Sequence, residues 1–110
     1  MAERGEKKLY ILARRDLSCA ERAVQACHAL AELMSKYGDD PQLREWAERH
    51  RTLIILGVPD EKALTRWEQK LRDAQIKCEA FTEPEMGNEK TALAVYPSAG
   101  GDLFRALRLL

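Results

Sequence analysis

The sequence predicts a single α/β domain with a mixed, roughly four-stranded sheet covered by helices. Short runs of branched and aromatic residues alternate with stretches in which apolar residues recur at helical spacing. Such alternation is typical of a sheet that buries its faces against helices. A length of 110 residues is enough for one hydrophobic core. We therefore expect residues 1–110 to form one domain.

The first strand and helix have clear signals. KLYILARR, residues 8 to 15, combines aromatic and branched residues and predicts a buried strand. Ser18 followed three residues later by Glu21 forms a capping-box pattern in front of a helix. We expect this helix to run to about Tyr37, with Gly38 as its stop.

The middle of the chain predicts helix, strand and helix. Asp40 and Pro41 begin a short helix that runs toward His50. TLIILGV, residues 52 to 58, is a continuous apolar strand of the kind buried on both faces. Asp60 then caps a helix within residues 59 to 74. The residues expected to face the sheet from this helix are Leu64, Trp67, Leu71 and Ala74.

The last third predicts two strands and a short tail. KCEAFTE, residues 77 to 83, alternates polar and apolar residues and indicates a half-exposed strand. EPEMGNEK is a loop, with Pro84 and Gly87 as breakers. TALAVYP, residues 91 to 97, is the last strand, and a helical tail follows around residues 102 to 107.

The charge balance excludes a globally basic nucleic-acid binder. Lysine plus arginine and aspartate plus glutamate each number 18, so the formal net charge is zero. Such a chain has no overall attraction to RNA or to an anionic membrane. Any RNA partner would have to be held by a local patch.

The amino-terminal sequence and the hydropathy pattern predict a cytoplasmic protein. The first six residues, MAERGE, are charged, and no apolar run approaches the length of a signal sequence or membrane span. We expect no contact with a membrane.

Cysteine usage points to reduced thiols. Cys19, Cys27 and Cys78 are odd in number and lack C-x-x-C spacing, so neither a disulfide framework nor a thiolate zinc site is expected. With only His28 and His50 as imidazoles, a metal centre is not expected either. No H-E-x-x-H, P-loop, G-x-S-x-G or dinucleotide motif is present.

One face of the first helix is polar. Glu21, Gln25, His28 and Glu32 are separated by four, three and four residues and share one stripe. This face lies either in water or beside a site, and a helix edge is the expected position of Gln25 and His28. The neighbouring stripe is apolar and comprises Ala20, Val24, Cys27, Ala31 and Met34.

Two loops could complete a site beside that helix. Arg14, Arg15 and Asp16 follow the first strand, where α/β sheets tend to build sites, and arginines suit phosphate oxygens. The alternative is a surface ion pair. The segment from Glu79 to Lys90 carries four glutamates against one lysine. It supplies either a general base or a solvated acidic turn.

Several motifs together resemble the type II peptidyl-tRNA hydrolase family. They are RRDLS, VQACHA, TLIILGVPDEKAL and TALAVYP, in an order that covers nearly the whole chain from Lys8 to Pro97. The resemblance implies a small α/β domain that hydrolyses the ester between a peptide and the ribose of tRNA. It implies no cofactor.

The resemblance also implies site residues. Arg14 and Asp16 match an R-x-D-L turn, Gln25 and His28 match the helix motif, and Thr91 begins the last strand. Water would be positioned or activated by Glu85 or His28, and Asn88 would stabilise the oxyanion. The catalytic candidates are Asp16, Gln25, His28, Glu85 and Thr91, and the substrate-binding candidates are Arg14, Arg15, Arg22 and Asn88.

The chain departs from the family pattern at two places. A glycine- and lysine-rich turn is replaced by SCAER, with Glu21 or Arg22 where a lysine is expected. A longer D-x-G-x-T loop is replaced by EPEMGNEK, which keeps an acid at Glu83 or Glu85. The sequence is similar in these respects to a shortened subgroup of the family.

These departures leave two alternatives to peptidyl-tRNA hydrolysis. The first is an inactive module of the same fold that binds tRNA or another partner. The second is a hydrolase of another small ester or amide. A homodimer is also possible, because a small sheet often leaves an edge or apolar face for a partner.

Overall fold

The computed structural model describes residues 7–98 and 101–110. The charged residues 1–6, on which the prediction of no signal sequence partly depends, lie outside this part. The elements in chain order are β1 (Lys8–Arg14), α1 (Cys19–Tyr37), α2 (Pro41–Glu45), β2 (Thr52–Val58), α3 (Glu61–Asp73), β3 (Cys78–Glu83), β4 (Glu89–Val95) and β5 (Arg108–Leu109).

The strands form one mixed sheet in the order β3-β4-β1-β2-β5. β1 and β2 run parallel, from the pair Lys8 and Thr52 to the pair Arg14 and Val58, while the other neighbours are antiparallel. The α/β architecture is therefore confirmed. The sheet has five strands rather than about four, because the chain after the predicted tail returns to pair with β2. The tail itself is a short 3-10 turn, Gly101–Phe104.

The sheet buries both faces, as the strand alternation of β1 requires. Leu9, Ile11 and Ala13 belong to the core cluster under α1, which also contains Trp46. Tyr10 and Leu12 point the other way, into the cluster under α3. Two half-cores on one sheet explain why β1 is apolar almost throughout. β2, predicted to be buried on both faces, is buried only from Leu56 to Val58, and Leu53 is exposed.

The predicted cap of α1 is confirmed. The Ser18 hydroxyl accepts from the Glu21 amide at 3.2 Å, and the Glu21 carboxylate accepts from the Ser18 amide at 3.0 Å. α1 ends at Tyr37 as predicted. Gly38, however, has a right-handed φ of −62°, so the stop is not a left-handed glycine cap. The chain instead enters α2, whose first turn is capped by Asp40.

The apolar stripe of α1 is not the face that the helix buries. Val24 is 52% exposed, and Cys27 is exposed as well. The helix is rotated so that small residues meet the alanines of β1 and β4, which lets helix and sheet approach closely. The buried residues of α1 are Gln25, Ala26, Ala29 and Leu33.

The two remaining helices begin where the sequence predicts. The segment predicted as one helix from Pro41 to His50 is α2 followed by a π-helical turn, Trp46–His50. Asp60 caps α3 by accepting from the Ala63 amide at 2.9 Å. On α3, Leu64 and Leu71 are buried and Trp67 is half-buried, but Ala74 is exposed because the helix ends before it.

The cysteines, possible metal ligands and helix hydrophobicity can be described from the structure. Cys19 and Cys27 are exposed, Cys78 is buried, and none forms a disulfide. Within residues 7–98 and 101–110, no three His, Cys, Asp or Glu side chains are grouped to hold a metal ion. No helix in the same ranges is long and apolar enough to cross a bilayer.

The capping box of α1 yields a stability prediction. Ser18→Ala removes the acceptor for the Glu21 amide and should cost about 1 kcal/mol of unfolding free energy, as lost N-caps usually do. Urea unfolding followed by circular dichroism measures the difference. Ser35→Ala, at an exposed position in the last turn of α1, is the matched control and should change stability little. Equal effects of the two substitutions would contradict the capping role.

Candidate active site

The candidate site residues lie at one edge of the sheet. The carboxyl ends of β1 and β2 meet there, since Arg14 pairs with Val58. The antiparallel β4 begins at the same edge, and β3 ends there, since Glu83 pairs with Glu89. The amino terminus of α1 follows β1 after a short turn. Five elements therefore bring their side chains to one edge.

A β-bulge places Thr91 in this region. Phe81 pairs with Ala92 and Thr82 pairs with Lys90, so the strand register skips Thr91. By simple alternation Thr91 would face α3, like Leu93. A bulge redirects a side chain, and the buried Thr91 hydroxyl points instead toward α1.

Gln25 joins α1 to both strands. Its Oε1 accepts a hydrogen bond from Thr91 Oγ1 at 2.7 Å, and its Nε2 donates to Glu83 Oε1 at 2.8 Å. The amide can be oriented only one way, because a carboxylate accepts and never donates when ionised. Gln25 is only 5% exposed, so the predicted helix-edge position is wrong for this residue. Its burial is possible because both ends of the amide are satisfied.

Glu83 is the acid of this group. Besides Gln25, its carboxylate accepts from the Glu85 amide at 3.2 Å. The hydrogen bond from Gln25 lowers the pKa of Glu83 most, and the Glu85 amide and the nearby His28 lower it further. Glu83 is therefore ionised at neutral pH.

His28 lies at the exposed end of the same group. It is exposed on α1, and its ring stacks on Phe81 with centroids 4.5 Å apart and planes 13° apart. The stack holds the imidazole beside the Glu83 carboxylate without enclosing it. We name Gln25, His28, Glu83 and Thr91 the amide cluster.

Arg14 and Asp16 form a separate network on the α3 side. Arg14 donates to both Asp16 carboxylate oxygens at 2.9 Å, to Glu89 at 2.8 Å and to the Lys90 carbonyl at 3.0 Å. Asp16 raises the pKa of Arg14, and the Arg14 guanidinium lowers the pKa of Asp16. Arg14 is buried, and its hydrogen bonds clamp the end of β1 to the start of β4.

Arg15 and Arg22 bind main-chain carbonyls. Arg15 donates to the Leu109 carbonyl at 2.6 Å. Its guanidinium lies against Gly57, where an added Cβ would be 2.4 Å from Arg15 Nε. Arg22 donates to the carbonyls of Leu17 at 2.8 Å and Arg15 at 2.5 Å. Both residues therefore organise the turn between β1 and α1.

The remaining two candidates lie on the turn between β3 and β4. Glu85 is exposed in the 3-10 turn Pro84–Met86, and it contributes its amide to Glu83. Asn88 has a left-handed φ of 63°, and its backbone N–H donates to the Glu83 main-chain carbonyl at 2.9 Å. Its side chain is exposed beside the amide cluster.

The structure thus groups three of the sequence candidates, Gln25, His28 and Thr91, around Glu83. The sequence offers Glu83 only as an alternative to Glu85, and it gives no role to Phe81. One signal was available: residues 79, 81 and 83 alternate on one face of β3, which placed Phe81 and Glu83 together. The facing helix could not be inferred from that alternation.

The hydrogen bond between Thr91 and Gln25 yields a second prediction. Thr91→Val keeps the shape but leaves the buried Gln25 oxygen unpaired, which should cost about 1 to 3 kcal/mol of unfolding free energy. In a Gln25→Leu background the same change should cost much less, because no acceptor is left unpaired. Denaturant unfolding of the four proteins in this cycle gives the coupling energy. An identical cost in both backgrounds would show that the hydrogen bond contributes nothing.

A comparison with solved structures supports the fold. The chain is similar to a protein of unknown function from Agrobacterium tumefaciens strain C58, with a TM-score of 0.68 at 12% identity. The similarity covers 96% of this chain and 98% of the other. At that identity it establishes the architecture alone. A comparison with curated proteins found no match.

A comparison with family models identifies the relatives of the chain. The model described as peptidyl-tRNA hydrolase PTH2 matches residues 7–108. The match includes β1 to β4 and every residue of the amide cluster. The chain therefore belongs to the peptidyl-tRNA hydrolase PTH2 family.

Proposed function

We propose that the protein hydrolyses the ester between a peptide and tRNA, with the amide cluster as its catalytic centre. The observation that carries the proposal is the hydrogen-bonded chain from Thr91 through Gln25 to the ionised Glu83, ending beside the exposed His28. Membership of the family supports the reaction and the substrate. Because tRNA serves translation, we infer a cytoplasmic location.

In this proposal His28 is the general base. A neutral imidazole in contact with solvent can take a proton from water as the water attacks the ester carbonyl. Glu83 is a weak proton acceptor, because its hydrogen bonds lower its pKa. Its negative charge instead stabilises the imidazolium that forms on His28. The Phe81 stack fixes the ring plane during this transfer.

Gln25 and Thr91 act as positioning residues. Thr91 holds the Gln25 oxygen, so the Gln25 amide nitrogen is directed at Glu83. The bulge that orients Thr91 is supported in turn by Arg14, which binds the carbonyl of the preceding residue, Lys90. Asp16 holds Arg14 in place with two hydrogen bonds. These residues need not touch the substrate.

Asn88 is the proposed oxyanion donor. The tetrahedral intermediate of ester hydrolysis places negative charge on the former carbonyl oxygen, which side-chain amide donors stabilise. The Asn88 side chain is exposed, and the backbone bond to Glu83 keeps it near the amide cluster. Glu85, on the same turn, is the alternative base if Glu83 and His28 do not act together.

A second candidate function is tRNA binding without cleavage. The observation that favours it is the lowered pKa of Glu83, whose carboxylate is already engaged by Gln25 and the Glu85 amide. If His28 does not accept the proton, the cluster has no other base of suitable strength among the residues grouped here. A hydrolase of another small ester or amide has no specific observation in its favour.

The proposed roles yield a kinetic prediction. His28→Gln and Glu83→Gln should each lower kcat/KM for a defined peptidyl-tRNA by roughly 100-fold or more, as expected for loss of general base catalysis. Peptide release from radiolabelled peptidyl-tRNA measures the rate. Glu32→Gln is the matched control, since Glu32 is exposed one turn beyond His28 on α1 and lies outside the cluster.

The same experiment separates the possible bases. If Glu85→Gln lowers the rate and Glu83→Gln does not, the acid of the site is Glu85. If neither His28→Gln nor Glu83→Gln differs from the Glu32→Gln control, the amide cluster is not the catalytic centre. A wild-type protein that binds peptidyl-tRNA but never releases peptide would support the second candidate function.

A further inference from the structure

Three arginines on the β2 and β5 side of the sheet edge form no direct ion pair. Among the described residues, Arg15, Arg22 and Arg108 have no carboxylate oxygen within 4.0 Å of their guanidinium groups. Acids pair with Arg14, Arg44, Arg72 and Arg105, whereas Arg49, Arg51 and Arg66, which have no such partner either, lie elsewhere, just before β2 or on α3. The neutral net charge of the chain therefore conceals a local positive group.

The three residues are connected through the backbone. Arg22 donates to the carbonyl of Arg15, and Arg15 donates to the carbonyls of Leu109 and, at 3.4 Å, Arg108. Bonds to main-chain carbonyls thus fix the guanidinium groups of Arg15 and Arg22, while Arg108 is joined to Arg15 only through its own carbonyl. Carbonyl bonds hold a guanidinium in place without neutralising its charge, so binding an anion needs little rearrangement.

The arginines still have free donors. A guanidinium has five N–H groups, and Arg22 uses two of its three nitrogens on carbonyls, while Arg15 uses one. The Arg108 side chain is exposed. Arg15 and Arg108 also line an open cleft of about 600 Å³ whose other walls are Gly57, Pro59, Ala106, Leu107 and Leu109.

We propose that Arg15, Arg22 and Arg108 bind backbone phosphates of the RNA substrate, with β5 completing the site. This inference rests on the proposed function and specifies where the RNA part of the substrate binds. Guanidinium groups match phosphate oxygens, and three of them spread over three elements suit a chain of phosphates better than a single anion. The open form of the cleft fits a polymer as well.

The site has a defined relation to the amide cluster. Three strand spacings separate β3, which carries Phe81 under His28, from β2, which lies under Arg15. At about 4.8 Å each, the lateral separation is about 14 Å. An RNA strand that spans this distance would place its esterified end at His28. Arg14 takes no part, because its donors are engaged by Asp16, Glu89 and Lys90.

Binding of deacylated tRNA tests this site independently of hydrolysis, since that RNA carries no ester. Fluorescence anisotropy over a salt series should show that Arg108→Gln and Arg15→Gln each weaken binding about fivefold to tenfold and lower the salt slope by about 0.7 to 0.9. Arg49→Gln, an exposed residue at the opposite end of β2, makes the same charge change and should leave both values unaltered.

Gly57→Ala tests the placement of Arg15 without removing charge. The new methyl group would occupy the position of the guanidinium, so tRNA binding should weaken although the net charge is unchanged. Should this variant fail to fold, Arg108→Gln decides, because its side chain is exposed and no described residue holds it.

The outcomes separate this site from the proposed reaction. Wild-type protein that does not bind tRNA, or Arg15→Gln and Arg108→Gln variants that match Arg49→Gln in affinity and slope, would overturn the phosphate site. If peptidyl-tRNA is nevertheless hydrolysed, the proposed function stands without it. Arginine-dependent tRNA binding in a protein that releases no peptide would support the phosphate site and contradict the hydrolase.

Discussion

The buried side-chain amide of Gln25 is the interaction on which the site depends. It lies at the interface of α1 with β3 and β4, where an unpaired amide would be costly. Satisfying it requires the Thr91 hydroxyl on one side and the Glu83 carboxylate on the other. This requirement favours one rotation of α1 about its axis. It also favours the bulge in β4, which turns Thr91 toward Gln25.

The rotation of α1 has consequences along the whole helix. With Gln25 inside, Ala26 and Ala29 lie on the sheet and His28 reaches the exposed end of β3, over Phe81. Val24 is then left on the outer surface. The same orientation of α1 therefore serves both packing and the site. It lets the helix approach the sheet closely, and it brings the residues of the amide cluster together.

The parts of the fold that are encoded locally could be predicted from the sequence. The caps at Ser18 and Asp60 involve residues three positions apart, and β2 is recognisable by its continuous apolar run. The bulge at Thr91 could not be predicted, because it exists only in the register of β4 against β3. Similarly, β5 is a strand only because β2 offers it a partner, and two residues carry no strand pattern of their own.

Among the site residues, too, some could be predicted from local sequence and others depend on contacts between distant parts of the chain. The resemblance of VQACHA and the last strand to a family motif identified Gln25, His28 and Thr91 as site residues. The role of Glu83 could be recognised only from its hydrogen bond with Gln25, which is 58 residues away in sequence. Arg14 was expected to meet phosphate, yet its partner Glu89 is 75 residues away. The charge distribution could not be predicted either: the net charge is zero, but Arg15, Arg22 and Arg108 lie together at one side of the edge without a direct ion pair.

The most direct test of the central claim is single-turnover peptide release from a defined peptidyl-tRNA by the wild-type protein and by His28→Gln, each compared with the reaction without protein. The account predicts that the wild-type protein accelerates release and that His28→Gln loses roughly 100-fold or more of that acceleration. No acceleration by the wild-type protein, or equal acceleration by His28→Gln, would contradict the assignment of His28 as the base.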